Sequence, residues 1–444
     1  MQTIKHDTDL SDVVEKEKSS SVTRITAVHF DIRNPDVTYH YVSKKSSCFC
    51  YLKGGTAELH DVAIDKDITK DTSEFIYSRY GAVRPVSFIF QQDGRLYDVK
   101  SPLIDFTSTA NSVTLKEVVI KHLADIDKKT GREMEIYNLT FPSIECDDFN
   151  WKKLMDNKLL LSKMIAAHPV IEILYNRQYF PSENDKMGKY PNQLIHEFIK
   201  TDIKTLLVNN CTIKYTEPST KDGNATFQFD NIHGTFKNIT NIDSLIAVNK
   251  SCIVTLEGKF QNKSPVGITF DLSLSDPKGH FTAKGYVNNL DGDDVSKQAA
   301  GFTFAKVTSF HLSHMSLYIE GNESYAKGDF TMLYENLKIS LFKFKSDERK
   351  SKKGPFSFIA ETTLLYPNNP MPGQDVRKTS TDFTRDPNKG FISLIWKSMY
   401  SGAQKTAVRN EKLIVLAGGK TDNKKEGKPK KKGFLRTLFG KKKK

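Results

Sequence analysis

The sequence contains no run of about 18–20 apolar residues, the length a helix needs to cross a bilayer. Its start, Met1 to Ser21, is polar and charged rather than signal-like. Read alone, the chain is expected to be soluble, without a transmembrane helix or signal peptide. Nucleophile-elbow GxSxG, Walker A, GxGxxG and HExxH patterns are all missing, which removes the usual supports of catalysis. No enzyme and no cofactor are expected. The five cysteines, Cys48, Cys50, Cys146, Cys211 and Cys252, form no CxxC pair. They read as buried or idle thiols rather than metal ligands.

Charge of one sign is also scarce over most of the chain. The formal net charge is +13, but residues 420–444 alone carry a net +10, leaving +3 for the rest. Nucleic-acid binding would therefore rest on the tail and be blind to sequence, since no reader domain is recognisable in the body. Within the tail, Phe434, Leu435, Leu438 and Phe439 lie between Lys430-Lys431-Lys432 and the terminal lysines. Such a patch suits weak adsorption to an anionic membrane surface, at about 1 kcal/mol per lysine. A solvated disordered tail is the competing reading.

What the sequence has in abundance is alternation. Ile268, Phe270, Leu272 and Leu274 share one face of a strand whose other face is Thr, Asp and Ser. Val254, Leu256 and Phe260 align in the same way, as do Phe330, Met332 and Tyr334. Turn chemistry at Ser275–Gly279 and at Glu320–Asn322 separates such runs, so consecutive antiparallel strands are expected. Helical spacing predicts two helices, Asp148–Leu160 and Asn388–Gly402. The acids Glu145, Asp147 and Asp148 are then read as stabilising the start of the first. Asp291–Asp294 reads as a polar turn, lacking the spacing of a calcium loop. His311 and His314 read as packed or surface histidines. The basic stretch Lys343–Lys353 reads as a loop.

One pattern recurs four times with identical spacing: two alternating apolar positions, an Asn or His, then two more alternating apolar positions. The copies are Phe30-Ile32-Asn34-Val37-Tyr39, Met164-Ala166-His168-Ile171-Ile173, Leu206-Val208-Asn210-Ile213-Tyr215 and Phe310-Leu312-His314-Leu317-Ile319. Apolar positions five apart on a regular strand point to opposite faces. A bulge or bend at the Asn/His slot is therefore expected, keeping one apolar face continuous while the sheet curves.

Several of these phrases resemble strands of the AsmA-like family. They include Ala166–Ile173, Leu207–Tyr215, Val254–Phe260, Phe270–Leu274, Gly279–Gly285, Met332–Ile339 and Asp386–Phe391. The resemblance covers roughly residues 24 to 402 and is densest after about 200. It implies a long folded-over β-sheet with an apolar groove, found in the bacterial cell envelope on the periplasmic side of the inner membrane, associated with lipid transfer or outer-membrane biogenesis. The family's N-terminal membrane anchor has no counterpart here.

The expectation is thus a mainly β protein: an elongated, curved antiparallel sheet with a few short helices over residues 23–403. A polar disordered extension (1–22) precedes it and a basic, largely disordered tail (404–444) follows. The groove positions expected to meet phospholipid acyl chains are Ile32, Val208, Ile268, Phe270, Leu272, Leu312 and Phe330. The alternative is a structural scaffold binding another envelope protein along exposed sheet edges.

Overall fold

The computed structural model describes residues 24–42, 47–65, 78–92, 97–107, 111–122, 135–150, 153–154, 156–175, 199–218, 224–296, 305–342, 357–359, 365–385 and 391–409. The N-terminal extension, the Lys343–Lys353 stretch and the tail residues Lys430, Lys431, Lys432, Phe434, Leu435, Leu438 and Phe439 lie outside them. Among the described residues, twenty-one strands form one curved sheet.

The first part comprises β1 (Arg24–Arg33), β2 (Asp36–Val42), β3 (Ser47–Lys53), β4 (Thr56–Asp65), β5 (Tyr80–Arg84), β6 (Ser87–Gln92), β7 (Tyr97–Lys100), β8 (Leu103–Thr107), β9 (Ser112–His122), β10 (Glu135–Asp147), β11 (Lys158–Ala167) and β12 (Val170–Tyr175). The second comprises β13 (Lys200–Pro218), β14 (Asn224–Thr240), β15 (Ser251–Phe260), β16 (Ser264–Ser273), β17 (Phe281–Asp291), β18 (Ala305–Gly321), β19 (Tyr325–Phe342), β20 (Ser357–Ile359) and β21 (Lys378–Thr384). Helix α1 (Asp243–Val248) links β14 to β15, and α2 (Phe391–Ala407) follows β21. Helix α2 is the predicted C-terminal helix, and it runs past the boundary placed at 403.

Many early strands are halves of longer ones, broken along one line. The chain turns at Asn34-Pro35 between β1 and β2, at Gly54-Gly55 between β3 and β4, at Pro85-Val86 between β5 and β6, and at Ser101-Pro102 between β7 and β8. The line continues through β9 at Glu117 (φ 49°), then His168-Pro169 between β11 and β12 (His168 φ 51°), Asn210 in β13 (φ 54°) and Asn231 in β14 (φ 50°). It reaches β15 at Gly258, where an added Cβ would lie 2.9 Å from the Asp230 carbonyl oxygen. These breaks are neighbours across the sheet: Asn34 N–H donates to Gly55 O (2.8 Å) and His168 N–H donates to Asn209 O (2.7 Å).

The seam is what the recurring motif encodes. In three of its four copies the Asn/His slot holds a left-handed residue, Asn34, His168 or Asn210. In the fourth the ladder between β18 and β19 slips between Leu312 and His314 instead. Asn is enriched in left-handed backbone because its short polar side chain tolerates φ > 0. Either device takes up one residue and returns the next apolar side chain to the same face. Hydrogen bonds persist beside the kink: Thr212 N–H donates to Pro169 O at 2.9 Å. Asn210→Gly should leave stability nearly unchanged, whereas Asn210→Val should lower it by about 1–2 kcal/mol, the cost of a branched residue in left-handed backbone. Urea unfolding of the two variants measures the difference.

Two expectations require correction. The helix expected over 148–160 is cut short: β10 runs to Asp147, residues 153–154 are helical with Asn150 Oδ1 accepting from Lys153 N–H (3.0 Å), and β11 begins at Lys158. A turn suffices because β10 and β11 are adjacent antiparallel strands. Glu145 and Asp147 belong to β10, where Asp147 meets Lys163 at 3.4 Å, so they cap nothing. Nor is the sheet wholly antiparallel. Both β11 and β12 run parallel to β13. A parallel neighbour needs a long crossover, and residues 176–199 separate β12 from β13.

Candidate functional site

Strand register decides which of the apolar positions meet. Starting from β1, directly opposed residues run Ile32, Ala57, Val83, Ile104, Leu115, Ile144 and Ala166. The row crosses the parallel junction to Val208 and goes on through Gly234, Leu256, Ile268, Gly285, Leu317 and Phe330 to Thr379. Fifteen strands contribute one residue each, and the last alone is polar. Two residues along every strand a second row runs beside it: Phe30, Leu59, Gly81, Phe106, Val113, Cys146 and Met164, then Leu206, Phe236, Val254, Phe270, Ala283, Ile319, Gly328 and Thr381. Neither row holds a charge. At roughly 4.8 Å between neighbouring strands, each row is about 65 Å long.

Beyond the seam the same side continues. Val99, Ile120, Leu139, Ile171, Ile213, Phe229 and Phe260 are opposed in turn across β7, β9, β10, β12, β13, β14 and β15. Val99, Ile120 and Phe141 pack against the cluster that contains Ile144 and Cys146, so the two flanks of the seam share one apolar side. The other side is polar: Glu58 pairs with Arg84 (3.2 Å) and Lys214 with Glu172 (3.5 Å), all solvent-exposed in the main and of small energetic weight. The structure is an amphipathic trough with a polar back.

Cover over the trough is uneven. At the C-terminal end α2 lies on it: Phe391 contacts the Phe270 and Phe281 rings at 5.5 and 5.0 Å between centroids, and Trp396 contacts Phe227 at 5.0 Å. Polar contacts hold the helix down. The Thr381 hydroxyl donates to Ser398 O, Thr379 Oγ1 and Thr406 Oγ1 are 3.0 Å apart, and Lys405 Nζ donates to Ser380 O at 3.0 Å. The two polar residues that end the rows, Thr379 and Thr381, are thus the ones that bind α2. Over β8–β16 both rows mix buried and half-buried side chains, with Ile104, Leu115, Met164, Leu206, Val208, Phe236, Leu256 and Ile268 half-buried.

The seven positions expected to line a groove divide accordingly. Ile32, Val208, Ile268 and Phe330 belong to the first row and Phe270 to the second. Leu272 is one step further, opposite Cys252 and Phe281, and Leu312 lies past the ladder slip, opposite Leu290 and Tyr334. Phe270, Leu272, Leu312 and Phe330 are buried in the cluster onto which α2 packs. Ile32, Val208 and Ile268 are half-buried. Sequence reasoning missed Met164, Leu206 and Phe236, although Met164 and Leu206 stand in the recurring motif.

Chemistry beyond apolar contact is sparse among the described residues, where no group of three His, Cys, Asp or Glu side chains could hold a metal ion. His311 Nδ1 lies 2.7 Å from Asp291 Oδ1 and His314 Nδ1 lies 2.7 Å from Asn288 Oδ1, so each has its own cross-strand partner. Asp294 pairs with Lys263, and residues 292–296 form a helical turn rather than a calcium loop. Cys146, Cys211 and Cys252 are free and buried. Burial pushes the Cys146 and Cys211 thiols up to about 11 and the Cys252 thiol up to about 12, with the Asp147 and Asp271 carboxylates adding to the rise at Cys146 and Cys252. A raised thiol pKa stabilises the fold below the unfolded value of about 8.5, and that stability is lost as pH climbs toward the folded values. Native protein at pH 8 should therefore leave these three thiols unalkylated by iodoacetamide, with full labelling in urea, as peptide mapping would show.

No helix among the described residues is long and apolar enough to cross a membrane. A scan of protein-family models, a search of curated proteins and a search of solved structures each returned no match. The fold and the two rows define the class: an amphipathic β-trough with one capped end.

Proposed function

We propose that this chain is a non-catalytic lipid-handling protein of the bacterial cell envelope, holding phospholipid acyl chains along its trough in outer-membrane biogenesis. The observation that carries this reading is the pair of uncharged rows, about 65 Å long at the usual strand spacing and half-buried at eight of their sixteen positions over β8–β16. An apolar surface of that length, rimmed by a polar back, suits an extended hydrocarbon better than a compact polar ligand. The resemblance of its strand phrases to AsmA-like proteins supports the same reading and the envelope location, by analogy of fold.

The test is lipid mass spectrometry on the full chain purified under mild conditions. Charge introduced at Phe270 or Leu272 would disrupt the core beneath α2, so the informative variants are Leu206→Asp and Phe236→Asp, at half-buried positions. Co-purifying phospholipid should be near stoichiometric in the wild type and fall at least tenfold in both variants while circular dichroism stays native. A well-folded wild type free of lipid would sink the proposal and favour a scaffold that binds protein.

A further inference from the structure

Strand β1 forms one rim of the sheet. Among the described residues β4 is the only strand paired with it, and Val28 and Phe30 stand 80% and 50% exposed. Both rows of the trough end there, at Ile32 and Phe30. A rim strand with an open ladder and apolar side chains in water is a template for another strand.

The rim carries its own complement. Read antiparallel about Phe30, the segment Val28-His29-Phe30-Asp31-Ile32 sets Val28 opposite Ile32, Phe30 opposite itself, and His29 opposite Asp31 in both directions. Phe30 faces Phe30 at the centre and an imidazole faces a carboxylate on either side of it, while Val28, across from left-handed Asp61 at a break in the β1–β4 ladder, stands outside the alternation. Cross-strand pairs of these kinds stabilise a ladder. Within one chain His29 Nε2 already lies 2.7 Å from Asp31 Oδ1, so both groups stand ready on the same side of the strand. A two-fold axis through Phe30, perpendicular to the sheet, keeps the apolar side of both copies on one side and makes the contact isologous.

We propose that β1 pairs antiparallel with β1 of a second copy of this chain, in a register centred on Phe30, joining two troughs rim to rim. In the dimer the second row runs directly from Phe30 into Phe30 of the other copy, and each α2 cap lies at a far end. Strand addition supplies main-chain hydrogen bonds as the source of affinity, and the side-chain pattern selects the partner.

Sedimentation velocity of the full chain across a concentration series tests this. The wild type should dimerise, and His29→Glu and Asp31→Lys should each be monomeric, the first because it sets carboxylates opposite one another twice, the second because it replaces both carboxylate partners of His29 with an ammonium. An equimolar mixture of the two variants should dimerise again, since the new carboxylate of one chain then faces the new ammonium of the other. That recovery also excludes misfolding as the cause of either loss. Phe30→Lys should be monomeric in every mixture. A wild type that stays monomeric overturns the proposal, as does a dimer that survives His29→Glu, or a mixture of the charge variants that remains monomeric.

Discussion

Phe330→Ala should destabilise the protein by about 3–5 kcal/mol, the range for deleting a buried aromatic ring and leaving a cavity. Phe330 is 1% exposed, stands opposite Leu317 in the first row and supports the backbone of α2. A Cβ on Gly402 would come within 2.4 Å of its ring, so helix and ring are in contact with no side chain between them. The surroundings cannot collapse readily into the void. They are a strand ladder and a helix pinned by Thr379, Thr381 and Lys405. Urea unfolding followed by circular dichroism gives the number, with Ile392→Ala, on the exposed side of α2, expected within about 0.5 kcal/mol of wild type. Equal losses in the two variants would mean that α2 is not seated on Phe330.

The second large effect is expected at a glycine with an ordinary backbone. Gly328 is opposite Ile319 in the second row, and an added Cβ would lie 1.9 Å from Tyr318 O and 2.8 Å from Ile319 Cα. Backbone on the neighbouring strand cannot swing aside as a flexible side chain can. Gly328→Ala should therefore force β18 and β19 apart locally at a cost of about 3 kcal/mol, the upper part of the range for overpacking. Gly373 supplies the contrast: its φ is +72° but nothing lies within 4 Å of an added Cβ. Gly373→Ala should cost only the left-handed strain, about 1–2 kcal/mol. Thermal or urea midpoints of the two variants separate steric crowding from backbone strain, and a larger loss at Gly373 would contradict the crowding argument.

The parts legible in the sequence were those fixed by one strand at a time. Alternation at Ile268–Leu274 and Phe330–Tyr334 identified the buried side correctly, because period two needs no partner to be seen. The Asn/His motif revealed its kinks for the same reason: the change of parity is local. What pairs with what is a relation between distant segments. The parallel match of Ala166 with Val208 depends on a crossover with no signature in either strand. The overlong helix expected at 148–160 came from Phe149, Trp151, Leu154 and Met155, whose spacing fits a helix although β10 runs to Asp147 and β11 starts at Lys158. The placement of α2 was likewise hidden. Its apolar spacing was plain, but that Phe270 and Phe330 would lie against it, with Leu272 and Leu312 in the same cluster, follows from Thr379 and Thr381, which mark its docking strand.

Because each of the fifteen strands that form the rows adds one residue to each, the trough is a ruler graduated in strands. Removing an antiparallel hairpin such as β15–β16 would take two graduations, about 10 Å at the usual strand spacing, from its length. The strands left on either side would meet with their parity intact, since Leu256 and Ile268 leave the first row together and so do Val254 and Phe270 from the second. Length can thus change by whole hairpins without redesign of the surface that remains, which is a way for related troughs to differ in span while keeping one cross-section.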